Sequence, residues 1–154
     1  MRILLQRVTR GSVTVDGQTL GEIGRGYVLL VGVGPDDNET IARKLAEKIV
    51  HLRLFPDDAG RFDRSVLDVQ GGALVVSQFT LFGDARKGRR PSFIGAGPPE
   101  IAEPLCARFG ELLSELGVRR VENGRFGADM RVLIENDGPV TLWLDSDALG
   151  LTGP

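Results

Sequence analysis

Residues near the start of the chain alternate between apolar and polar in the manner of β-strands. Residues 3–8 follow this alternation, and after a turn residues 13–15 resume it up to Asp16-Gly17. An Asp-Gly pair is a strong hairpin signal because both residues adopt positive φ readily, and residues 20–23 supply the return strand. The unbroken apolar run at residues 27–33 is bounded by glycines, which predicts a central strand.

Helical spacing replaces this alternation in two segments. Asp36-Asp37-Asn38 caps the first segment, in which apolar residues recur at positions 41, 45, 49 and 52. The second segment covers residues 98–116 and ends at Gly117, and its predicted buried stripe is Ile101, Leu105, Phe109, Leu112 and Leu116. Pro104 is tolerated only near the first turn of a helix, which leaves the start of this helix open.

Four further strands complete the pattern: the apolar run at residues 72–76, which is typical of a strand buried on both faces, and residues 118–121, 130–134 and 140–144. The predicted order is therefore β-β-β-α-β-α-β-β-β. This order describes a single α/β domain over residues 1–154, with a mostly antiparallel or mixed sheet and two main helices.

Composition restricts the class of protein. The 154 residues include 42% hydrophobic and 26% charged side chains, and no apolar run approaches the ~20 residues of a membrane span. The single cysteine, Cys106, fits a reducing cytosol and a buried helix position better than a nucleophile. The single histidine, His51, closes the first helix, so neither a two-histidine zinc site nor a Ser-His-Asp triad is indicated. We expect a cytoplasmic protein without metal or cofactor, and the net charge of −2 argues against a general nucleic-acid coat.

A polar island follows the apolar run at residues 72–76 and is the first candidate site. Ser77-Gln78-Phe79-Thr80 places two hydroxyls and an amide at the end of a buried strand, where they need hydrogen-bond partners or a ligand. A hydroxyl nucleophile needs an adjacent base, and neither a histidine nor a lysine is evident for that role. The turn offers instead the backbone N–H groups of Phe79 and Thr80, two donors that can stabilise an oxyanion. Ordinary, internally satisfied hydroxyls at a strand end are the simpler alternative.

A basic loop follows this island. Arg86, Lys87, Arg89 and Arg90 place four cations in five positions, interrupted by Gly88. Such a run is ordinarily a solvated surface, but its attachment to the polar island favours a phosphate-bearing ligand nearby. Phe93 either anchors this loop, which is the simpler role, or stacks on a base.

A second polar island, Asn136-Asp137-Gly138-Pro139-Val140-Thr141, separates the last two predicted strands and is typical of a hairpin turn. Glycine lets a backbone approach a ligand closely and proline removes a donor, so a cis Gly138-Pro139 pair would present carbonyls in a rigid array. We expect the two polar islands to form one active site. The glycine-rich segment at residues 123–130 is interpreted as a turn.

Together these motifs resemble D-aminoacyl-tRNA deacylases. The resemblance rests on Ser77-Gln78-Phe79-Thr80-Leu81, Lys87-Gly88-Arg89-Arg90-Pro91-Ser92-Phe93, Phe126-Gly127-Ala128-Asp129-Met130 and Asn136-Asp137-Gly138-Pro139-Val140-Thr141, with Gln6-Arg7-Val8 and Gly71-Gly72 in support. Each motif is weak alone, but they occur in order over essentially the whole chain.

The resemblance implies a barrel-like fold of mixed or antiparallel sheets flanked by the two helices. It also implies a homodimer in which Gly138-Pro139, as a cis pair, enters the pocket of the other subunit. The main-chain atoms of this pair would select the configuration of the amino acid, with Met130 nearby and Arg7 helping to hold the loop. Judged alone, Arg7 is a surface charge on the first strand. The implied partner is aminoacyl-tRNA, bound at its 3′-terminal adenosine, with Arg86, Lys87, Arg89 and Arg90 contacting the tRNA.

An aminoacyl ester is already activated, so a modest catalyst suffices. Water would attack the ester carbonyl, the N–H groups of Phe79 and Thr80 would bind the oxyanion, and the tRNA 2′-OH would orient the water. Thr80 as a covalent nucleophile ranks second because no base is visible. Exclusion by fixed carbonyls would reject L side chains while accepting D-aminoacyl-tRNA and glycyl-tRNA. Two alternatives stay open: a small-molecule esterase or amidase using Thr80, against which the basic loop counts, and a non-catalytic RNA-binding module, against which the acidic balance counts.

Overall fold

A computed structural model describes residues 1–151 of the chain, which form eight strands and two helices. In chain order the elements are β1 Arg2–Val15, β2 Gln18–Ile23, β3 Gly26–Gly32, α1 Glu39–His51, β4 Phe55–Pro56, β5 Phe62–Arg64, β6 Gly72–Ser77, α2 Pro99–Glu115, β7 Val121–Asn123 and β8 Arg131–Asp145. A short 3-10 helix, Phe79–Phe82, follows β6 directly.

The main sheet is built around β1, and it is mixed, as predicted. Strand β1 pairs antiparallel with β3 and β2 along one edge and with β8 along the other, while β3–β6 and β6–β7 are parallel. The sheet curls until β2 meets β7. The contact is so close that a Cβ atom at Gly21 would lie only 2.8 Å from Cβ of Glu122. The result is the nearly closed, barrel-like sheet that the family resemblance implied.

Both faces of the central strand are buried, which confirms the interpretation of its unbroken apolar run. Tyr27, Leu29 and Val31 of β3 face α1 and α2, in one large core cluster. Val28 points the other way, into a smaller cluster inside the curled sheet with Val8, Val13, Ile23, Leu74 and Val76. Alternate side chains of β3 and β6 pack into two different cores, which holds both strands in place. The end of β6 is therefore a rigid position for a site.

The two predicted helices are present, with two corrections to α2. Asn38 caps α1 as predicted, its side chain accepting a hydrogen bond of 3.1 Å from the N–H of Ile41. The helix α2 begins at Pro99, so Pro104 lies beyond its first turn. The expectation that a proline is tolerated only near the first turn of a helix therefore does not hold here. Ile101 is exposed. Residues four apart in a helix differ by about 40° around its axis, so Ile101 points away from the face that the later residues of the predicted stripe bury. Neither helix of the described chain is long and apolar enough to cross a membrane.

The strand predictions at both ends of the chain need correction. Residues 3–8 and 13–15 belong to one strand, β1, and residues 130–134 and 140–144 lie in or next to one strand, β8. The second polar island is therefore not a hairpin turn. It is a bulge, in which residues 137–140 face only Arg7 between the pairs Val8–Asn136 and Gln6–Thr141. Both flanks pair with the same strand, so turn-forming residues produce a local protrusion instead of a chain reversal.

Candidate active site

The end of β6 leaves two backbone donors without partners. Ser77 closes the strand, the N–H of Gln78 donates to the carbonyl of Val31 at 2.7 Å, and the 3-10 helix starts at Phe79. The first internal bond of that turn is the N–H of Leu81 donating to Gln78 at 3.2 Å. Because the first N–H groups of a helical turn have no acceptor within it, those of Phe79 and Thr80 remain free, and residues 1–151 supply no other acceptor.

The side chains of this polar island carry no base. The amide nitrogen of Gln78 donates to the hydroxyl oxygen of Thr80, and both Phe79 and Thr80 are exposed. His51 lies at the end of α1, where its ring nitrogen contacts the carbonyl of Glu47. The chemistry available here is therefore donation by main-chain N–H groups, supported by hydroxyl and amide side chains.

Two adjoining cavities open beside these donors. One, of about 240 Å³, is lined by Val76, Ser77, Gln78, Phe79, Gly127, Ala128, Met130 and Val132. The other, of about 350 Å³, is lined by Ser77, Phe79, Ala96, Gly97, Pro99, Ala102, Phe126 and Gly127. Ser77, Phe79 and Gly127 are common to both, so the cavities form one continuous space, which we call the cleft.

The wall of the cleft opposite β6 comes from the segment between β7 and β8. The sequence interpretation of residues 123–130 as a turn missed Phe126, Gly127 and Ala128 as lining residues. The signal that could have found them was their place among the motifs of the resemblance. Met130, already a candidate, also lines the cleft.

Cys106 lies near the cleft but is not part of its chemistry. It lines a third cavity of about 500 Å³ beneath α2, which shares Ser77 and Phe126 with the cleft. Burial raises the pKa of its thiol to about 12, so the thiol stays protonated at neutral pH. The prediction of a small buried hydrophobe is confirmed.

Arg7 is buried against the bulge in β8. Only 6% of it is exposed, so it is not the surface charge expected from the sequence alone. Its Nη1 donates to the carbonyl of Leu54 at 2.6 Å, and its Nε lies 3.1 Å from Oδ2 of Asp137. That second contact lacks the alignment of a hydrogen bond, so it is an ion pair. A Cβ atom at Gly138 would lie 3.0 Å from Nη2 of Arg7, which shows how closely the guanidinium supports the bulge.

The bulge is held on its other side by Asn136. The side-chain nitrogen of Asn136 donates to the carbonyls of Arg7 at 3.0 Å and Val140 at 3.1 Å. Its side-chain oxygen accepts from the hydroxyl of Thr141 at 3.1 Å. Gly138-Pro139 is a cis peptide and is exposed at the top of this network.

The structure does not bring the two polar islands together within one chain. Ser77 pairs with Val31 of β3, whereas Arg7, opposite the bulge, aligns through β3 with Ala73. Val132 of β8 lines the cleft and pairs with Val13 of β1, whereas the bulge faces Arg7, six residues away along β1, or about 20 Å at ~3.3 Å per residue. One active site containing both islands therefore needs a second copy of the chain.

The basic loop lies beside the cleft and is braced by one of its own arginines. Backbone hydrogen bonds of 2.7 and 2.9 Å between Asp84 and Ser92 close it. The guanidinium of Arg86 donates to the carboxylate of Asp84 at 2.7 and 2.9 Å, which lowers the pKa of that carboxyl. Lys87, Arg89 and Arg90 are exposed, and no carboxylate among residues 1–151 forms an ion pair with them.

Known proteins share this sequence and fold. The family described as D-Tyr-tRNA(Tyr) deacylase matches residues 4–145. The D-aminoacyl-tRNA deacylase of Thermomicrobium roseum is 60% identical over 149 residues, covering 97% of this chain and 96% of that protein. A solved structure described as c-Myc DNA unwinding element binding protein is 42% identical, with a TM-score of 0.88 over 95% of this chain and 99% of that one. A probable eukaryotic D-amino acid tRNA deacylase, 19% identical, shares the fold with a TM-score of 0.81 over 93% and 97% of the two chains. This chain belongs to the D-Tyr-tRNA(Tyr) deacylase family, whose members are hydrolases of the ester bond in aminoacyl-tRNA.

Proposed function

We propose that the chain is an editing hydrolase that cleaves the ester of D-aminoacyl-tRNA and of glycyl-tRNA and spares L-aminoacyl-tRNA. The observation that carries the proposal is the pair of free N–H groups at Phe79 and Thr80 beside a cleft. Family membership supplies the substrate class. Such a substrate is met in the cytoplasm, where we place the reaction.

The reaction needs little from side chains. Water attacks the ester carbonyl, and the developing oxyanion accepts hydrogen bonds from the N–H groups of Phe79 and Thr80. The 2′-OH of the terminal ribose orients the water, and the leaving 3′ oxygen takes a proton as the ester bond breaks. Thr80 as a covalent nucleophile is the weaker scheme, because its hydroxyl accepts a hydrogen bond from Gln78 and contacts no base.

Selection against L side chains comes from the bulge of a second copy. Gly138-Pro139 of one subunit enters the cleft of the other, near Met130, and its main-chain atoms leave room only for hydrogen on one face of the α-carbon. Two observations support this arrangement. The bulge is held from below by Arg7 and Asn136, and it lies about 20 Å from the cleft of its own chain, as estimated from the residue spacing along β1.

The tRNA is held outside the cleft by the basic loop. Lys87, Arg89 and Arg90 have no carboxylate partner within residues 1–151 and are free to bind phosphates, whereas Arg86 is already paired with Asp84. The terminal adenosine occupies the cleft, which brings the ester to the free N–H groups. An exposed cationic loop has no evident purpose in a hydrolase of small free esters.

A time course of deacylation on D-, L- and glycyl-tRNA tests the proposal. We expect D-aminoacyl- and glycyl-tRNA to be cleaved and L-aminoacyl-tRNA to survive, because exclusion cannot reject an α-carbon that carries two hydrogens. Sparing of glycyl-tRNA at enzyme concentrations that clear the D substrate would refute selection by exclusion.

Two further assays, hydrolysis of free amino-acid esters and binding of uncharged tRNA, separate the alternative functions. Faster hydrolysis of free amino-acid esters than of charged tRNA would indicate a small-molecule esterase. Tight binding of uncharged tRNA without any hydrolysis would indicate a non-catalytic RNA-binding module.

A further inference from the structure

Two phenylalanines form an exposed aromatic ledge at the rim of the cleft. Phe79 and Phe93 pack edge to face with ring centroids 5.2 Å apart, yet 57% of Phe79 and 37% of Phe93 remain exposed. Phe79 also lines both cavities of the cleft. The ledge is therefore continuous with the candidate active site.

Gly83 keeps the ledge in place. A Cβ atom at position 83 would lie 3.0 Å from Cε1 of Phe93 and 3.0 Å from the carbonyl oxygen of Thr80. The Phe93 ring thus rests on bare backbone on one side and on Phe79 on another. This support fixes the ring while leaving part of its surface open to solvent, so Phe93 is anchored without being covered.

The surroundings of the ledge favour one kind of ligand. Lys87, Arg89 and Arg90 lie between three and six residues before Phe93, carry no carboxylate partner among the described residues, and project from the loop that Asp84 and Ser92 close. Exposed aromatic faces beside unpaired cations are the combination by which proteins hold single-stranded nucleic acid. Bases stack on the rings while the cations neutralise phosphates.

We propose that Phe79 and Phe93 form a stacking platform for the base of the nucleotide that precedes the terminal adenosine. The proposal rests on the proposed function, because it takes the terminal adenosine to occupy the cleft that Phe79 borders. The unpaired strand leaving the cleft then crosses the ledge first and the basic loop next. Stacking accepts any base, so the platform reads an unpaired 3′ end and not a sequence.

The test is a double-mutant cycle that combines a protein variant with a modified RNA probe. The RNA is uncharged, so binding is measured separately from catalysis. The probe is an RNA hairpin with a four-nucleotide unpaired 3′ end, carrying either a base or an abasic sugar at the penultimate position. Replacing Phe93→Leu should weaken binding of the intact probe by about 5- to 150-fold, since stacking contributes ~1–3 kcal/mol per base. Loss of the base should weaken binding to the parent protein similarly, and the two losses should not add.

Two variants serve as controls. Phe93→Tyr keeps a ring face and should bind the intact probe as the parent does. Ile101→Ala removes another exposed apolar side chain, on α2, and should leave the affinity unchanged.

The contrary results are distinct. Equal weakening by Phe93→Leu on intact and abasic probes, or no weakening on either, would mean that Phe93 only anchors the loop. A change in sedimentation of Phe93→Leu would assign the ledge to contact between copies of the chain. Should Phe93→Leu fail to fold, an abasic probe that binds the parent protein as well as the intact probe overturns the platform. Hydrolysis is measured separately, so a protein that stacks the base but cleaves no ester refutes the proposed function alone.

Discussion

Thr80 carries the mechanistic choice at the scale of single residues. Its hydroxyl accepts a hydrogen bond from Gln78, and its own N–H is free beside that of Phe79. The side chain is thus occupied with a neighbour, while the main-chain N–H has no acceptor among the described residues. A main-chain donor cannot be deleted by substituting a side chain, so mutation of Thr80 distinguishes the two schemes.

We predict that Thr80→Ala retains kcat within about 10-fold of the parent, because general-base activation of a nucleophile is ordinarily worth ~10²–10⁴ and none is removed here. A substrate ending in 2′-deoxyadenosine should react about 100-fold more slowly or worse, since the group that orients water is gone. Single-turnover deacylation of both substrates by both proteins measures this, with Thr80→Ser as the matched control. Loss of all turnover in Thr80→Ala, with a trapped acyl-enzyme in Thr80→Ser, would establish the covalent route.

The basic loop is the element to which we assign tRNA binding. Its four cations divide into one that braces the loop and three that are free. Arg86 is bound to the carboxylate of Asp84, whereas Lys87, Arg89 and Arg90 face solvent. In the sequence the four cations are equivalent, and only the side-chain contacts separate them.

Replacing Lys87, Arg89 or Arg90 by Ala should raise KM and flatten the log–log salt dependence of tRNA binding by ~0.7–0.9 for each phosphate that the protein no longer neutralises. Replacing Arg86 by Ala should change that slope less, since its charge is already balanced. The chemical step should slow much less than KM rises, because these residues lie outside the cleft. Lys48→Ala on α1 is a control for removal of a surface charge. Salt slopes that match the parent in all three variants would mean that the loop is only a solvated surface.

Elements with strong local signals could be predicted from the sequence. Asp16-Gly17 turns between β1 and β2 with φ of 49° and 77°, the positive values that this pair adopts readily. The apolar run in β3 and the Asn38 cap of α1 are equally local signals. The bulge in β8 could not be predicted, because whether turn residues reverse a chain depends on what their flanks pair with. The burial of Arg7 could not be predicted for a similar reason, since it comes from Leu54 and Asp137, distant in sequence.

The candidate site divides along the same line. Ser77 to Thr80 could be placed at a strand end from the sequence, and the free N–H groups follow from the 3-10 turn that the structure adds. The local sequence pattern does not place Phe126 to Ala128 in the wall of the cleft, because that wall forms only when the β7–β8 segment approaches β6. The separation of the two islands likewise depends on strand order, which local pattern does not encode.

At the scale of the whole molecule, the proposed site needs two copies of the chain. The outer edge of β8 has no partner strand among the described residues, and its Leu133 and Trp143 are about half exposed. Long unpaired edges are ordinarily blunted or covered, so a second copy is the natural partner for this surface. In a twofold pair of chains, the bulge of each subunit could enter the cleft of the other. Within one chain the bulge lies too far from the cleft to do so.

The last prediction tests this sharing of sites by mixing two inactive variants. Gly138→Val distorts the bulge, because φ at this residue is +118° and a Cβ atom would lie 3.0 Å from Nη2 of Arg7. Ala128→Phe leaves the bulge intact but fills the cavity of about 240 Å³ that forms one part of the cleft. Each variant alone should fail to cleave D-aminoacyl-tRNA, because every cleft of the proposed dimer is then filled. The side chain introduced at position 128 fills it directly, and the side chain introduced at position 138 is carried into it by the distorted bulge of the neighbouring subunit.

Unfolding and refolding the two variants together should restore about a quarter of the parental deacylation rate. Half of the dimers are then mixed, and each mixed dimer combines one intact cleft with one intact bulge. Sedimentation of both variants as dimers is the necessary control, because a variant that cannot form dimers would also fail to restore deacylation. Dimers that form but recover no activity would place the bulge and the cleft in separate sites, and selection of the amino acid would then have to arise within the cleft of a single chain.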